Sequence, residues 1–308
     1  MTNYIHRNYQ TDADLYAMQA MTAESIQQVG ICGHLHIGDI PHRIFNDLRR
    51  EDPKELVWLW HDLENHLAGY VIVCPAHKGF DLHIHPVHRA GTLESEMIAY
   101  AVAQTRQKMA ESKIEGDIGT DVDECDDVRM KRLEEAGFVR GKQLYWFTER
   151  NLGVPILKST LQEGFFIRSA EGVHEAQKLI DVHSSGFGSS WTLAQYERVM
   201  TSPGYDAERE LVVVAPDGQF AAFCIIWLDE NNKIGYFEPV GVHKDFHRRG
   251  LGSALMNHAM RIMIDKDMET ATVLHEVDNP ASTGLYASLG FKQMYRIFEY
   301  TLDSKVSG

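Results

Sequence analysis

The sequence predicts an α/β chain made of two tandem units of similar design. Its 308 residues suit two domains of about 100–200 residues each. The order of apolar runs starts again near position 150. Each copy also closes on Gly-Phe after a helical run, LEEAGF at 133–138 and YASLGF at 286–291.

The elements follow in matching order. Copy one opens on a short strand at 4–7 and the amphipathic helix TDADLYAMQAM. Copy two opens on 165–168 and SAEGVHEAQKLI. Paired apolar strands come next, 55–60 with 68–74 and 211–215 with 220–228. The second pair is joined by Pro216-Asp217-Gly218-Gln219, which is hairpin-turn chemistry. A strand, a loop and a helix follow, at 81–85 and 93–108 in copy one and at 234–242 and 253–264 in copy two. That last helix repeats apolar residues at Leu255, Met256, Ala259, Ile262 and Met263, a helical period. A glycine after each final run caps a helix, and aromatic-rich strands at 143–148 and 293–301 end the copies. Residues 151–164, with Gly153 and Pro155, read as a linker, so the expected domains are 1–150 and 165–308. Duplication with divergence explains the match; chance likeness of two α/β domains is the alternative.

Composition excludes several classes. Apolar residues make up 44% and charged residues 24%, a globular balance that rules out disordered and collagen-like chains. The longest purely apolar run, 220–228, is nine residues, and a membrane helix needs about 20. The opening MTNYIHRNYQTDADLY has no apolar core of a secretory leader. Cys32, Cys74, Cys125 and Cys224 lack CxxC spacing, which fits a reducing cytoplasm better than a disulfide framework. The net charge of −14 divides into −8 over 1–150 and −6 over 151–308, with no basic stripe. No nucleic-acid or membrane partner is expected. An acidic field serves solubility, or draws cationic small molecules.

The motif that carries chemistry is His247-Arg248-Arg249-Gly250-Leu251-Gly252-Ser253. It lies between the strand GYFEPVGV and an amphipathic helix. Two glycines permit a tight turn and close approach of a ligand. The N–H groups of the following helix start then converge on an anion, and Arg248 and Arg249 add charge. A pyrophosphate fits. A Walker loop is excluded by the missing Lys, and a dinucleotide fingerprint by the late position and the single GxG. Pro239 has no N–H, so the ladder should break there and let neighbouring strands splay.

With Asn279 and Leu285-Tyr286-Ala-Ser-Leu-Gly-Phe291 downstream, the chain resembles the GNAT superfamily of acyl-coenzyme A-dependent N-acyltransferases. The likeness is strong over 165–308. The tandem arrangement is similar to acetyltransferases of the mycothiol synthase type. It implies two GNAT-like domains, each a mixed, mostly antiparallel sheet flanked by helices. It implies acetyl-coenzyme A as co-substrate, with the backbone of Val240, Gly241 and Val242 pairing to the pantetheine arm. Residues 247–253 would hold the pyrophosphate, with His247 departing from the family's Gln or Arg, and Asn279 would meet the arm near its sulfur. Tyr286 takes the family's acid position; the other reading is a core aromatic. Glu238, beside the reacting carbon, is the candidate base; it also reads as an exposed strand carboxylate or a substrate anchor. The implied reaction is direct attack by an amine in a ternary complex, without an acyl-enzyme. The expected acceptor is a small cationic amine, with a protein N-terminus or lysine next. A non-catalytic coenzyme A-binding regulatory module is the rival from another class.

Copy one reads as degenerate. Aligned strand ends put Thr92 and Glu94 where copy two has Gly250 and Gly252. Counting back from the Gly-Phe pairs puts Leu133 at Tyr286 and Asp126 at Asn279. Scaffold and one wall of the acceptor pocket are the expected roles. Phe187 and Trp191, in the flexible segment SSGFGSSWT, could hold a cation by their ring faces or simply pack. His83 and His85 share a strand face, and no metal is expected there. The acidic stretch 117–127 lacks the glycine and closing Glu of a calcium loop.

Overall fold

The computed structural model describes residues 4–47, 52–89 and 91–303. Contacts divide the chain into two units, Met1–Trp146 with Tyr295–Gly308, and Phe147–Met294. The first contains β1 (Tyr4–Asn8), α1 (Asp12–Val29), the short turns α2 (Asp39–Pro41) and α3 (Pro53–Leu56), β2 (Val57–Asp62) and β3 (Leu67–Cys74). It continues with β4 (Gly79–Ile84), α4 (Leu93–Glu111), β5 (Ile118–Asp123) and α5 (Asp127–Glu135). Strand β6 (Val139–Asn151) then carries the chain into the second unit.

Strands β1 to β4 pair antiparallel in sequence order. Strand β5 meets β4 in parallel at one pair, Gly79 with Gly119. A Cβ on Gly79 would lie 2.5 Å from the Gly119 carbonyl oxygen, so only glycine permits that approach. Leu15, Met18, Trp58, Tyr70, Ile72, Leu82, Met97 and Ile98 fill the core under α1 and α4.

The second unit contains β7 (Phe166–Ser169), α6 (Ala176–Phe187), α7 (Leu193–Met200), β8 (Glu210–Val214), β9 (Phe220–Asp229) and β10 (Ile234–Val242). It continues through α8 (Leu251–Asp265), β11 (Thr270–Glu276) and α9 (Pro280–Ser288) into β12 (Lys292–Leu302). Strands β7 to β10 form an antiparallel meander, and β11 adds in parallel to β10. The β8–β9 turn forms at Pro216–Gln219 as the sequence predicts: Ala215 N–H bonds the Gln219 carbonyl at 2.8 Å, and Gly218 takes φ +85°. Helix α8 buries Leu251, Ala254, Leu255, Ala259 and Met263 against the sheet, following its 3.6-residue period. Each unit is therefore a mixed, mostly antiparallel sheet flanked by helices.

The final strand changes units. The sequence reading keeps 293–301 within copy two. In the structure Ile118–Asp123 pairs antiparallel with Ile297–Leu302 of β12. Phe298, Tyr300 and Leu302 enter the core of the first unit beside Phe138 and Val122. Periodicity specifies a strand with one apolar face but not the sheet that accepts it.

Cysteine placement corrects the sequence reading. Cys32 and Cys125, 93 residues apart, are joined in a disulfide, while Cys74 and Cys224 are free. Two distant loops bring the pair together, which spacing along the chain cannot reveal. No described helix is long and apolar enough to cross a membrane.

Candidate active site

Strands β10 and β11 part within the second unit. Their pairs stop at Tyr236 with Thr272, although β10 continues to Val242 and β11 to Glu276. On its other edge β10 shifts register against β9 between Phe237 and Val240. Pro239 lies inside that shift, where it has no N–H to give. The Trp227 indole N–H donates to the Glu238 carbonyl at 2.9 Å and satisfies the strand there. The splay expected from Pro239 is thus present.

The shift also sorts side chains between the two sheet faces. Phe237, Val240 and Val242 pack with Cys224, Val273, Tyr286 and Phe291 under α8 and α9. Tyr236 packs on the opposite side with Ile225, Trp227 and Leu274. By strand alternation Glu238 goes with Tyr236. Its Oε2 lies 3.5 Å from the Tyr236 hydroxyl. Tyr286 is 7% exposed. Burial raises its pKa most, and the charges of Glu238 and Cys224 raise it further. Tyr286 therefore remains a phenol within electrostatic reach of Glu238. Cys224 stays a thiol, because burial and then Glu210 raise its pKa.

At the end of β10 the chain turns through Arg248 (φ +60°) and Gly250 (φ +72°) into α8. Gly250 caps the helix without a side-chain bond. The first helical bond runs from Ala254 N–H to the Gly250 carbonyl at 3.0 Å. The N–H groups of Leu251, Gly252 and Ser253 precede it, and residues 247–250 are exposed. A Cβ on Gly252 would reach Val242 and Leu285 at 3.4 and 3.5 Å, so a longer side chain there has little room. An open helix N-terminus of this kind can hold an anion through its N–H groups and dipole. His247 bonds back to the Val242 carbonyl at 3.1 Å. The Arg249 guanidinium lies 5.2 Å from the Phe246 ring centre. Asn279 caps α9, its Oδ1 accepting from Ser282 N–H at 3.1 Å. That capping role stands beside the coenzyme contact the resemblance implies.

On the other face, α6 crosses the end of β10. A Cβ on Gly241 would fall 2.4 Å from Phe223 Cε1 and 3.3 Å from Phe187 Cε2. Phe223 stacks on His183 with ring centres 3.7 Å apart. Phe187 is 53% exposed. Trp191 lies edge-on to Tyr196 at 5.3 Å and to His183 at 6.3 Å. The structure thus gathers Phe187 and Trp191 into one aromatic cluster. Sequence reasoning missed the polar chain beneath it. Tyr196 donates to Glu210 at 2.6 Å, and Tyr205 donates to the other Glu210 oxygen. His183 Nε2 is 2.8 Å from the Tyr196 oxygen, so Nε2 carries the proton. Burial raises the pKa of both tyrosines, with Glu210 adding to it. Nothing in the spacing of residues 183, 196 and 210 marks them as partners. His275, also unmarked by spacing, places its ring 5.3 Å from that of Tyr286.

The first unit differs at the corresponding turn. Glu94 is fully buried and accepts from Arg89 at 3.0 Å and from Arg129. Asp126 accepts from the same Arg89 at 2.7 Å and from Arg129 N–H at 3.0 Å. Burial works against the Glu94 charge, but Arg129 and Arg89 hold its pKa below the ordinary value. Side chains of the unit itself thus occupy this turn. His83 lies against Tyr70 and His85 accepts from Val87 N–H. Among the described residues no third ligand-type side chain converges with them.

The second unit thus brings together a parted pair of strands, an open helix N-terminus and the buried Tyr286, which feels the charge of Glu238. Residues 176–291 match the sequence model of the Acetyltransferase (GNAT) family. The match lies within the second unit. A mycothiol acetyltransferase from Salinispora tropica is 25% identical over 172 residues, covering 53% of this chain and 56% of that protein. N-alpha-acetyltransferase 30 from Xenopus laevis is 30% identical over 79 residues, 25% of this chain and 29% of that protein. The chain thus matches little more than half of the first relative's length and less of the second's. A GCN5-related N-acetyltransferase from Sphaerobacter thermophilus superposes with TM-score 0.66 at 16% identity, covering 100% of this chain and 98% of that one. A tandem GNAT protein from the clavulanic acid biosynthesis pathway gives TM-score 0.66 at 12% identity, with 99% of each chain covered. The whole chain has the tandem GNAT fold.

Proposed function

We propose that the protein is an N-acetyltransferase whose second unit moves acetyl from acetyl-coenzyme A to an amine. The observation that carries this reading is the β10–β11 gap, with Glu238 and Tyr286 on opposite faces and the 247–253 cradle at its end. Acetyl-coenzyme A supplies the thioester. The N–H groups of Leu251, Gly252 and Ser253 bind its pyrophosphate, and the free edge of Val240–Val242 aligns its arm. Glu238 takes the proton of the attacking amine, and Tyr286 gives one to the departing sulfur. A backbone N–H near Val240 steadies the oxyanion. Attack is direct, since the one nearby thiol, Cys224, is buried and protonated.

The acceptor we favour is a small cationic amine held at Phe187 and Trp191. Support comes from their aromatic cluster, the net charge of −14 and the small-molecule name of the Salinispora relative. The relative named N-alpha-acetyltransferase 30 supports protein N-termini as a second choice. The first unit we read as a scaffold without coenzyme, because Glu94 would meet the phosphates. A cytoplasmic setting accords with the thioester donor, while the Cys32–Cys125 disulfide speaks for a less reducing one.

Calorimetric titration with acetyl-coenzyme A tests the reading. One site per chain is the expected result. Two sites would remove the degeneracy of the first unit, and no binding would remove the function.

A further inference from the structure

His275 has no role in the reading above, yet its surroundings set it apart. It is 5% exposed on β11, beyond the last β10–β11 pair. Neither ring nitrogen has a hydrogen-bond partner among the described residues. Buried polar groups are nearly always paired, so such an exception calls for a physical reason. Period two puts His275 on the face of Val273 and Tyr286. Its ring is tilted 57° to that of Tyr286 at 5.3 Å. Burial alone lowers its pKa below 6.5. The ring is therefore neutral at pH 7, with one N–H to give and one lone pair.

Tyr286 needs such a donor. When its O–H bond breaks toward sulfur, a phenolate forms in a buried site that already feels the charge of Glu238. An uncompensated charge there is costly. The Cys224 thiol is a weak donor. The imidazole N–H of His275 is the stronger one at hand.

We propose that His275 is a positioning residue for acyl transfer, donating its N–H to the Tyr286 oxygen while the phenol proton passes to the departing sulfur. The amine nitrogen forms the C–N bond, and the C–S bond breaks with its electron pair going to sulfur. The Tyr286 proton makes the S–H bond. The proton lost by nitrogen goes to Glu238 and returns to the phenolate once the products leave. His275 keeps its own proton throughout, so amine and thioester become amide and thiol in balance. The bond is not made in this structure, where the ring centres lie 5.3 Å apart, and forms only when the gap is filled, as active-site hydrogen bonds often do.

This inference rests on the acetyltransferase reading, and the test separates the two. In ¹⁵N-histidine spectra of the full chain, the ring signal lost in His275→Gln should be neutral at pH 7 and move on adding coenzyme A. Calorimetry with coenzyme A should give wild type, His275→Gln and His275→Phe affinities within about 2-fold. Turnover of acetyl-coenzyme A is followed with spermidine, glucosamine and lysine. His275→Phe should lower kcat about 10- to 100-fold, the range of one hydrogen bond to a charged group. His275→Gln, which keeps an N–H, should recover part of it. In a Tyr286→Phe background His275→Phe should cost almost nothing more. Full additivity, or an unmoved ring signal when coenzyme A binds, overturns the role of His275. If none of the three amines is turned over, the ring signal decides. Absence of coenzyme binding by the wild type instead overturns the function on which it rests.

Discussion

Gly241→Ala tests how the end of β10 is held. The added methyl would sit 2.4 Å from Phe223 Cε1, 2.8 Å from its Cζ and 3.3 Å from Phe187 Cε2. Phe223 is fully buried and pinned by His183, whose ring centre is 3.7 Å away. His183 is in turn fixed by Tyr196 at 2.8 Å. The ring cannot retreat without breaking that stack, so the strand end or the aromatic cluster must move. Overpacking of this kind costs about 1–3 kcal/mol. Urea unfolding should show a lower midpoint by the corresponding amount, with an unchanged slope. Displacement of Gly241 should also weaken acetyl-coenzyme A, because the arm is proposed to align there. Gly284→Ala is the control. Nothing lies within 4 Å of that position in α9, and the helix should gain about 0.5–1 kcal/mol. A Gly241→Ala protein as stable as the wild type, with full coenzyme affinity, would refute the packing of α6 over β10.

Tyr286→Phe should lower turnover by about 10²-fold or more while coenzyme A affinity measured by calorimetry stays within about 2-fold. Gly252→Glu copies Glu94 of the first unit and should abolish coenzyme A binding, with an unchanged circular dichroism spectrum. Asp123→Asn addresses pH. Burial raises the Asp123 pKa to about 7, opposed by the Gly33 N–H bond and assisted by Asp126. The folded chain then holds a proton that the unfolded chain releases near 3.8. Stability should fall as pH rises from about 4 to 7 and level off above, and the Asn variant should flatten that slope in urea titrations.

The sequence alone determined the local chemistry. Hairpin turn, helix periods and the glycine-rich entry to α8 follow from short-range rules on φ, capping and apolar spacing. These rules act within a few residues, so Pro216–Gln219 and Gly250 were legible. Pro239 announced the β10–β11 gap because a missing N–H is a property of the residue itself. Tyr286, Glu238 and residues 247–253 were named as candidates only once a family pattern supplied the spacing.

What only the tertiary structure decided are the pairings between distant segments. The strand at 293–301 was recognisable, but its pairing with β5 depends on which apolar face accepts Phe298 and Tyr300. The Cys32–Cys125 bond joins loops 93 residues apart. The carboxylates of Glu94 and Asp126 stay buried because Arg89 and Arg129 meet them from other elements. The arrangement of His275 beside Tyr286, and of His183 and Tyr196 above Glu210, arises where strands and helices cross. Local propensity acts along the backbone, whereas burial and pairing act through space, and the second half of the site belongs to the second kind of force.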